Sequence, residues 1–143
     1  MERYTRRTAL SIAGSTGLAA LAGCLGGDDG NAPYDGYLRP ANNFDGVVDR
    51  TGSAEVTVAV GSDSGLSFGP PAVQVSPGTT VIWEWTGRGG QHNVVAADGT
   101  FESEYYLEEG NTFEHTFEEP GVYKYHCTPH QTQGMLGVVE VVE

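Results

Sequence analysis

The sequence predicts an all-β fold in which about seven short strands form a sandwich of two sheets. Three observations support this prediction. Short apolar runs alternate with a period of two residues, which is the pattern of half-buried strands. Turn-forming residues separate these runs, since the 143 residues include 21 Gly and 7 Pro. No long amphipathic helical pattern is visible, so a two-sheet sandwich is the economical architecture.

The predicted strands follow one another from residue 55 onward. They cover residues 55–60, 72–75, 79–85, 92–96, 112–117, 122–126 and 137–142. In the third of these strands Val81, Trp83 and Trp85 share one face, so both tryptophans are predicted to lie in the core rather than to relay electrons. Turns at 76–78 and 119–121 each contain a Pro-Gly pair, in which Pro presets φ and Gly accepts a positive φ.

Residues 1–23 are predicted to be an export signal that is removed from the mature protein. Arg6 and Arg7 precede an apolar run of small residues and resemble a twin-arginine signal. The run ends in Leu-Ala-Gly-Cys, which resembles the processing box of lipoproteins. In that family the chain is cut before the cysteine, here Cys24, whose sulfur then carries a lipid. We therefore expect an exported protein anchored by this lipid to the outer face of the cell membrane. The alternative is plain secretion without a lipid.

Residues 24–50 are predicted to be a lipid-anchored tether followed by an irregular arm. The stretch 25–33 is rich in Gly and Asp, which suits a flexible tether. The stretch 34–50 carries apolar and aromatic anchors, namely Tyr34, Tyr37, Leu38, Phe44, Val47 and Val48. We expect it to pack on the folded domain, and a disordered linker is the alternative. Residues 51–143 remain as the folded domain, with Cys127 as its single thiol.

The charge of the chain narrows the class of partner. Nineteen acidic residues against seven basic ones give a formal net charge of −12. Nucleic-acid binding requires a basic patch, so a nucleic-acid partner is not expected. Simple adsorption on anionic lipid is disfavoured for the same reason. An acidic surface with few lysines favours a halophilic source, and the alternative is an ordinary acidic secreted protein.

A short segment near the C-terminal end groups three soft metal ligands. Cys127, His130 and Met135 are spaced C-x-x-H-x-x-x-x-M between two predicted strands. A trigonal set of two His and one Cys, with a weak axial Met, is the coordination of blue copper. The segment supplies three of these four ligands, so a second histidine must come from elsewhere in the chain.

The other three histidines differ in position. If Cys127 points into the sandwich, His126 points away from it, because side chains alternate along a strand. His115 lies mid-strand on the same face as two phenylalanines and is predicted to be a packing residue. His92 follows the Gly-rich loop 87–90 at the start of a strand, where it can reach one end of the sandwich. The predicted metal set is therefore His92, Cys127, His130 and Met135.

Four neighbours are expected to support these ligands. Asn93 and Thr128 each follow a ligand, so a hydrogen bond between their neighbourhoods would connect the His92 strand to the ligand loop. Pro129 has no backbone N–H and cannot donate to the sulfur of Cys127. Gly134 would let the backbone pass close to the metal ahead of the methionine.

These residues carry a resemblance to the plastocyanin-type blue copper proteins. The matching motifs are His92-Asn93, Tyr123-x-Tyr125-x-Cys127-Thr128-Pro129-His130 and Gly134-Met135-x-Gly137. The stretches 73–87 and 113–121 narrow the resemblance to the halocyanins, the archaeal members of that group. The resemblance covers roughly residue 45 to the C-terminus. It implies an eight-stranded Greek-key cupredoxin domain over residues 51–143, one type 1 copper per chain, and the carriage of single electrons.

The resemblance also implies how partners dock. His130 would be the more exposed ligand, with its edge in an apolar patch lined by Pro129 and Leu66. The partners would be membrane redox proteins that donate and accept electrons, and the carrier would be a monomer. In plastocyanins a tyrosine precedes the copper cysteine and marks a second electron route, and this chain has His126 at that position.

Other functions fit the sequence less well. Structural zinc prefers several thiolates or four strong ligands, and methionine is a poor zinc ligand. A binuclear copper centre needs a second nearby cysteine. A copper nitrite reductase or a multicopper oxidase needs further histidine pairs, so an enzyme is not expected. A purely structural sandwich leaves the C-x-x-H-x-x-x-x-M segment unexplained. A copper carrier or storage lipoprotein without electron transfer uses the same ligands and is the strongest alternative.

Overall fold

A computed structural model of the chain describes residues 33–143. The described part contains nine strands: β1 Val48–Asp49, β2 Glu55–Ser62, β3 Ser67–Gly69, β4 Ala72–Val75, β5 Thr79–Trp85, β6 Val95–Ala96, β7 Thr112–Phe117, β8 Gly121–His126 and β9 Leu136–Val141. Two short 3-10 helices cover Pro33–Gly36 and Thr128–Gln133. No helix from residue 33 onward is long and apolar enough to cross a bilayer. The predicted export signal and Cys24 lie outside the described residues.

The strands form two sheets whose order differs from the order in the sequence. One sheet has the order β1-β4-β9-β8-β6, and the other has the order β3-β2-β5-β7. Strands β2 and β5 pair in parallel, as do β4 and β9, while β8 and β9 pair antiparallel. The chain therefore crosses repeatedly between the sheets, which gives a two-layer all-β architecture. The all-β sandwich predicted from the sequence is confirmed.

The core lies between the inner faces of the two sheets. In β5 every second residue from Thr79 to Trp85 is buried, as the alternating pattern predicts. Trp83 is fully buried, and its ring centroid lies 5.3 Å from those of both Phe101 and Tyr125. Aromatic pairs of this kind contribute about 0.5–1.5 kcal/mol beyond the area that they bury. This packing fixes the inner face of β8, at the end of which Cys127 follows.

Two features of the sheets differ from the sequence prediction. Strands β1 and β3 were not predicted, because two or three residues are too few to show a period. The strand predicted over 92–96 is shorter, since β6 covers only Val95–Ala96. Ahead of it His92 forms an isolated bridge with Tyr106, and the backbone N–H of Val94 donates to the hydroxyl of Ser103 at 2.8 Å. A side chain thus replaces one of the backbone acceptors that a regular ladder would need.

Residues 37–143 form one compact unit. Within it, we call residues 37–50 the arm. The hydroxyl of Tyr37 donates to the backbone oxygen of Tyr125 at 2.7 Å, and Leu38 is buried. At the other end of the arm β1 pairs in parallel with β4, where Val48 lies opposite Val73. The arm is therefore hydrogen-bonded to β8 at its start and to β4 at its end.

Candidate metal centre

Three potential metal ligands converge at one end of the sandwich. The Nδ1 atoms of His92 and His130 lie 3.2 Å apart. The Sγ atom of Cys127 lies 3.6 Å from Nδ1 of His92 and 3.4 Å from Nδ1 of His130. Among residues 33–143 these side chains form the one group of His, Cys, Asp or Glu residues whose donor atoms are close enough to hold a metal ion.

The separations between the three donor atoms suit a first-row transition metal. A point equidistant from three atoms with these spacings lies about 2.0 Å from each, close to typical metal–nitrogen and metal–sulfur bond lengths. His92 and Cys127 are at most 1% exposed, and His130 is partly exposed. A buried set of two imidazoles and one thiolate is the donor set that copper prefers in electron-transfer sites. The residues therefore fit a type 1 copper ion.

Cys127 is placed by the end of β8 and by the segment that follows it. Tyr125 and Cys127 are both fully buried, as their alternation with His126 predicts. The backbone N–H of Cys127 donates to the oxygen of Met135 at 3.2 Å, which closes the ligand segment into a loop. Burial raises the pKa of the Cys127 thiol, and the backbone N–H groups of Asn93 and His130 oppose this rise. Those two donors favour the thiolate, the form that binds a metal.

A hydrogen bond on the side away from the other donors orients the His92 ring. Its Nε2 atom lies 2.7 Å from the backbone oxygen of Arg88. A carbonyl oxygen only accepts, so Nε2 carries the proton and Nδ1 is left with a lone pair that faces the other donors. The indole N–H of Trp85 donates to the backbone oxygen of His92 at 3.1 Å. Burial lowers the pKa of His92, which keeps the imidazole neutral and able to bind a metal.

The roles of Arg88 and Trp85 were not predicted from the sequence. Arg88 acts through its backbone oxygen, and every residue type has such an oxygen, so the sequence does not mark this role. The Gly-rich run 87–90 was the available signal, because glycines allow close packing of the chain. A Cβ on Gly61 would lie 2.7 Å from the oxygen of Arg88 and 3.3 Å from Nε2 of His92. The backbone of Gly61 therefore packs directly against the hydrogen bond that orients His92.

Met135 lies in the same buried cluster as Cys127. Its side chain is fully buried, and the cluster also includes the aromatic residues of the core. Its backbone N–H donates to the oxygen of His130 at 3.2 Å. The ligand loop is thus closed by two backbone hydrogen bonds, one on each side of the methionine. This arrangement fixes Met135 relative to both Cys127 and His130.

The expected connection between Asn93 and Thr128 is present in the structure. The backbone N–H of Thr128 donates to Oδ1 of Asn93 at 2.8 Å, and Nδ2 of Asn93 donates to the hydroxyl of Thr128 at 3.3 Å. Asn93 is 2% exposed. The paired bonds join the segment that carries His92 to the segment that carries Cys127.

Gly134 has a structural requirement that involves the arm. Its φ of 90° lies in the left-handed region that favours glycine. A Cβ at this position would lie 2.7 Å from both the oxygen of Pro40 and Oδ1 of Asn42. The close approach that requires glycine is therefore made by the arm.

The remaining predicted residues lie around this centre. His126 and His115 are not part of the donor group. The His115 ring lies 5.1 Å from that of Phe101 and 4.8 Å from that of Phe117, measured between ring centroids. Pro129 is exposed, and Leu66 is partly exposed.

Known proteins are similar to this chain in sequence and in architecture. Residues 54–142 match the family model of copper binding proteins of the plastocyanin/azurin family. The halocyanin of Natronomonas pharaonis is 44% identical over an alignment of 156 positions, gaps included, that spans 95% of this chain and 96% of that protein.

Solved structures agree with the sequence comparison. The structure of a mutant plastocyanin of fern has a TM-score of 0.53 and 26% identity, over 61% of this chain and all of that one. A copper-containing nitrite reductase from Thermus scotoductus has a TM-score of 0.52 and 31% identity, over 62% of this chain. The match covers only 22% of the reductase, so its activity does not transfer to this chain. By its family model and its halocyanin relative, the chain belongs to the plastocyanin/azurin family of copper-binding proteins.

Proposed function

We propose that this protein is a type 1 copper electron carrier in which His92, Cys127, His130 and Met135 bind one copper ion. The observation that supports this most directly is the convergence of one Sγ and two Nδ1 atoms to within 3.2–3.6 Å of one another. Zinc would fit these distances too, but a buried methionine beside a single thiolate favours copper.

The surrounding residues suit the transfer of single electrons. A copper ion bound here would supply a one-electron couple between Cu(II) and Cu(I). The chain fixes its ligands independently of that couple, through the backbone bonds of the 127–135 loop and the Arg88 bond to His92. Ligands held in this way move little when the charge of the ion changes. Burial of Cys127 and Met135 keeps water away from the sulfur donors.

The exposed side of the centre suits a docking partner. His130 is the one member of the donor group that is partly exposed, and Pro129 beside it is exposed. We infer that electrons pass through the edge of His130, with Pro129 and Leu66 lining the contact. The partners would be membrane redox proteins, and a lipid on Cys24 would hold the carrier near them at the outer face of the membrane. The carrier would work as a monomer, without a nucleic-acid partner.

We do not propose a catalytic role. Copper enzymes of this fold need a further metal centre, and the match to the nitrite reductase covers only 22% of that protein. The alternative that remains is a copper carrier or storage lipoprotein. It would share the ligands but would exchange Cu(I) readily and would not pass electrons to a partner.

The visible spectrum after addition of Cu(II) tests the proposal. We expect an intense band from charge transfer between thiolate and copper, which disappears on reduction. The band should be lost in Cys127→Ser and retained in Cys24→Ser, the matched control at the other cysteine of the chain. A protein that binds the metal tightly without colour would contradict the assignment. A coloured protein that gives up Cu(I) to a weak chelator within seconds would favour storage.

Replacement of the axial ligand gives a second test. In Met135→Leu the charge-transfer band should survive, because the three equatorial donors remain. The reduction potential should rise, since the loss of a weak donor destabilises Cu(II) more than Cu(I). Cyclic voltammetry on the loaded protein measures this change. Complete loss of copper would show that Met135 contributes more than a weak axial bond.

A further inference from the structure

Asn42 of the arm contacts two loops at the metal end of the sandwich. Its backbone N–H donates to the oxygen of Gly134 at 3.1 Å. Its side-chain Nδ2 donates to the oxygen of Leu66 at 2.7 Å. Gly134 immediately precedes Met135 in the ligand loop, and Leu66 ends the turn 63–66 between β2 and β3. One residue of the arm therefore connects the ligand loop with a turn of the opposite sheet.

The turn 63–66 contacts Asn42 on one side and the segment that orients His92 on the other. The backbone of Gly65 packs so closely on Gly89 that a Cβ on Gly65 would lie 2.8 Å from the Gly89 nitrogen. The neighbouring residue, Arg88, provides the oxygen that accepts the Nε2–H of His92. A displacement of the turn would therefore move the acceptor that orients the His92 ring.

The ligand loop has an equally close contact with the arm. Gly134 is buried, and a Cβ on it would approach Asn42 Oδ1 and the Pro40 oxygen to 2.7 Å. At Gly134 the arm and the ligand loop are therefore in close contact. A displacement of Asn42 would therefore also move the backbone that leads into Met135.

Contacts on either side of Asn42 hold the arm in place. Before it, the Tyr37 hydroxyl donates to the oxygen of Tyr125, and the Lys124 ammonium lies 5.6 Å from the centroid of the Tyr37 ring. After it, Nδ2 of Asn43 donates to the oxygen of Phe68 at 2.9 Å. Asn43 thus makes the same type of bond as its neighbour, but to β3, away from the ligand loop.

The geometry points to Asn42 as a positioning residue that fixes the ligand loop and the turn beside Arg88 before copper binds. This inference rests on the proposed copper site. The side chain of Asn42 reaches no metal ligand directly, so it acts by limiting the conformations of the two loops. A loop that samples fewer conformations in the copper-free protein loses less entropy on binding and holds its metal longer.

The test compares Asn42→Ala with Asn43→Ala in the full chain. Each variant removes one side-chain amide that donates to a backbone oxygen, and both keep the backbone N–H groups. In the copper-free protein, amide hydrogen exchange is measured at Cys127 and Met135, whose N–H groups close the ligand loop. In the loaded protein, the rate of Cu(I) transfer to a chelator is measured.

Asn42→Ala should accelerate both exchange at these two amides and copper transfer by about two- to three-fold, the lower end of the range for one net hydrogen bond, because the Asn42 side chain is exposed. Asn43→Ala should leave both rates as in wild type, even where its unfolding midpoint falls equally. Equal rates in the two variants, or an Asn42→Ala effect on the unfolding midpoint alone, would overturn the inference. The wild-type spectrum separates the two proposals: a colourless copper-loaded protein refutes both, whereas a blue protein with unchanged Asn42→Ala rates refutes this one alone.

Discussion

The connection between Asn93 and Thr128 allows a quantitative test of how the metal end is held together. The perturbation is a double-mutant cycle in the copper-free protein, using Asn93→Ala, Thr128→Val and the double variant. Asn93→Ala removes both hydrogen bonds, at 2.8 and 3.3 Å. Thr128→Val removes only the longer bond, because the backbone N–H of residue 128 still donates to Asn93.

The expected costs follow from burial and bond number. Two neutral hydrogen bonds contribute about 0.5–1.5 kcal/mol each, so Asn93→Ala should lower the free energy of unfolding by about 2 kcal/mol. Thr128→Val leaves the Nδ2 of a buried asparagine without its acceptor and should cost about 1 kcal/mol. The double variant should again cost about 2 kcal/mol, since Asn93→Ala has already removed the shared bond. The coupling free energy is then about 1 kcal/mol.

Urea unfolding followed by tryptophan fluorescence measures these free energies. Asn111→Ala serves as the control, because it removes an exposed side-chain bond to the oxygen of Glu108 at 3.0 Å. It should change stability by no more than about 0.5 kcal/mol. The reasoning that these bonds join the two ligand segments would be refuted if the two single variants had additive effects on the free energy of unfolding. It would also be refuted if Asn93→Ala lowered that free energy no more than the control does.

Three further predictions concern packing, protonation and charge. Gly137→Ala should lower the free energy of unfolding, measured in urea, by about 3 kcal/mol, because the new Cβ would collide with the buried ring of Tyr125. Gly78→Ala has open space at a φ of 94° and should lower it by only about 1–2 kcal/mol. Equal losses in the two variants would contradict the packing argument. Burial lowers the pKa of His115, so the unfolded chain binds the proton more readily than the folded one. The free energy of unfolding should therefore fall as pH drops below about 6.5. His115→Gln should reduce this dependence of stability on pH between pH 7.5 and pH 5, and an unchanged dependence would contradict the prediction. Because the formal net charge is −12, the urea midpoint should rise as KCl increases from 0.1 to about 1 M, and a flat or falling midpoint would count against charge repulsion in the folded state.

The longer strands were predictable because their burial repeats with a simple period. The predicted bounds of β4, β5 and β7 coincide with those in the structure, at 72–75, 79–85 and 112–117. Each has alternating residues and is bounded by turn residues. Strand β1 contains only Val48–Asp49, and β3 only Ser67–Gly69, so neither contains enough residues to show a period. Their pairing depends on neighbouring strands that lie far away in the sequence.

The candidate site was predictable where the chemistry belongs to side chains. Cys127 and His130 stand close together in sequence, and their residue types narrow the possible metal. His92 could be placed by its position after a Gly-rich loop. The acceptor for its Nε2–H was not predictable, because it is a backbone oxygen at Arg88 whose position depends on packing. Asn42 was missed for a similar reason, since its partners are backbone oxygens 24 residues away or more.

The donor positions are set by contacts that the ligands themselves do not make. His92 and Cys127 come from segments 35 residues apart, so their separation depends on how those segments are joined. The Asn93 and Thr128 bonds join them on one side, and the arm joins the ligand loop to the turn 63–66 on the other. Asn93 and Gly134 are buried, and a Cβ on Gly134 would lie 2.7 Å from the arm, so both connections meet closely packed chain. A centre held in this way would present the same three donors to either oxidation state of copper, and the proposed electron carrier requires that property whereas a copper store does not.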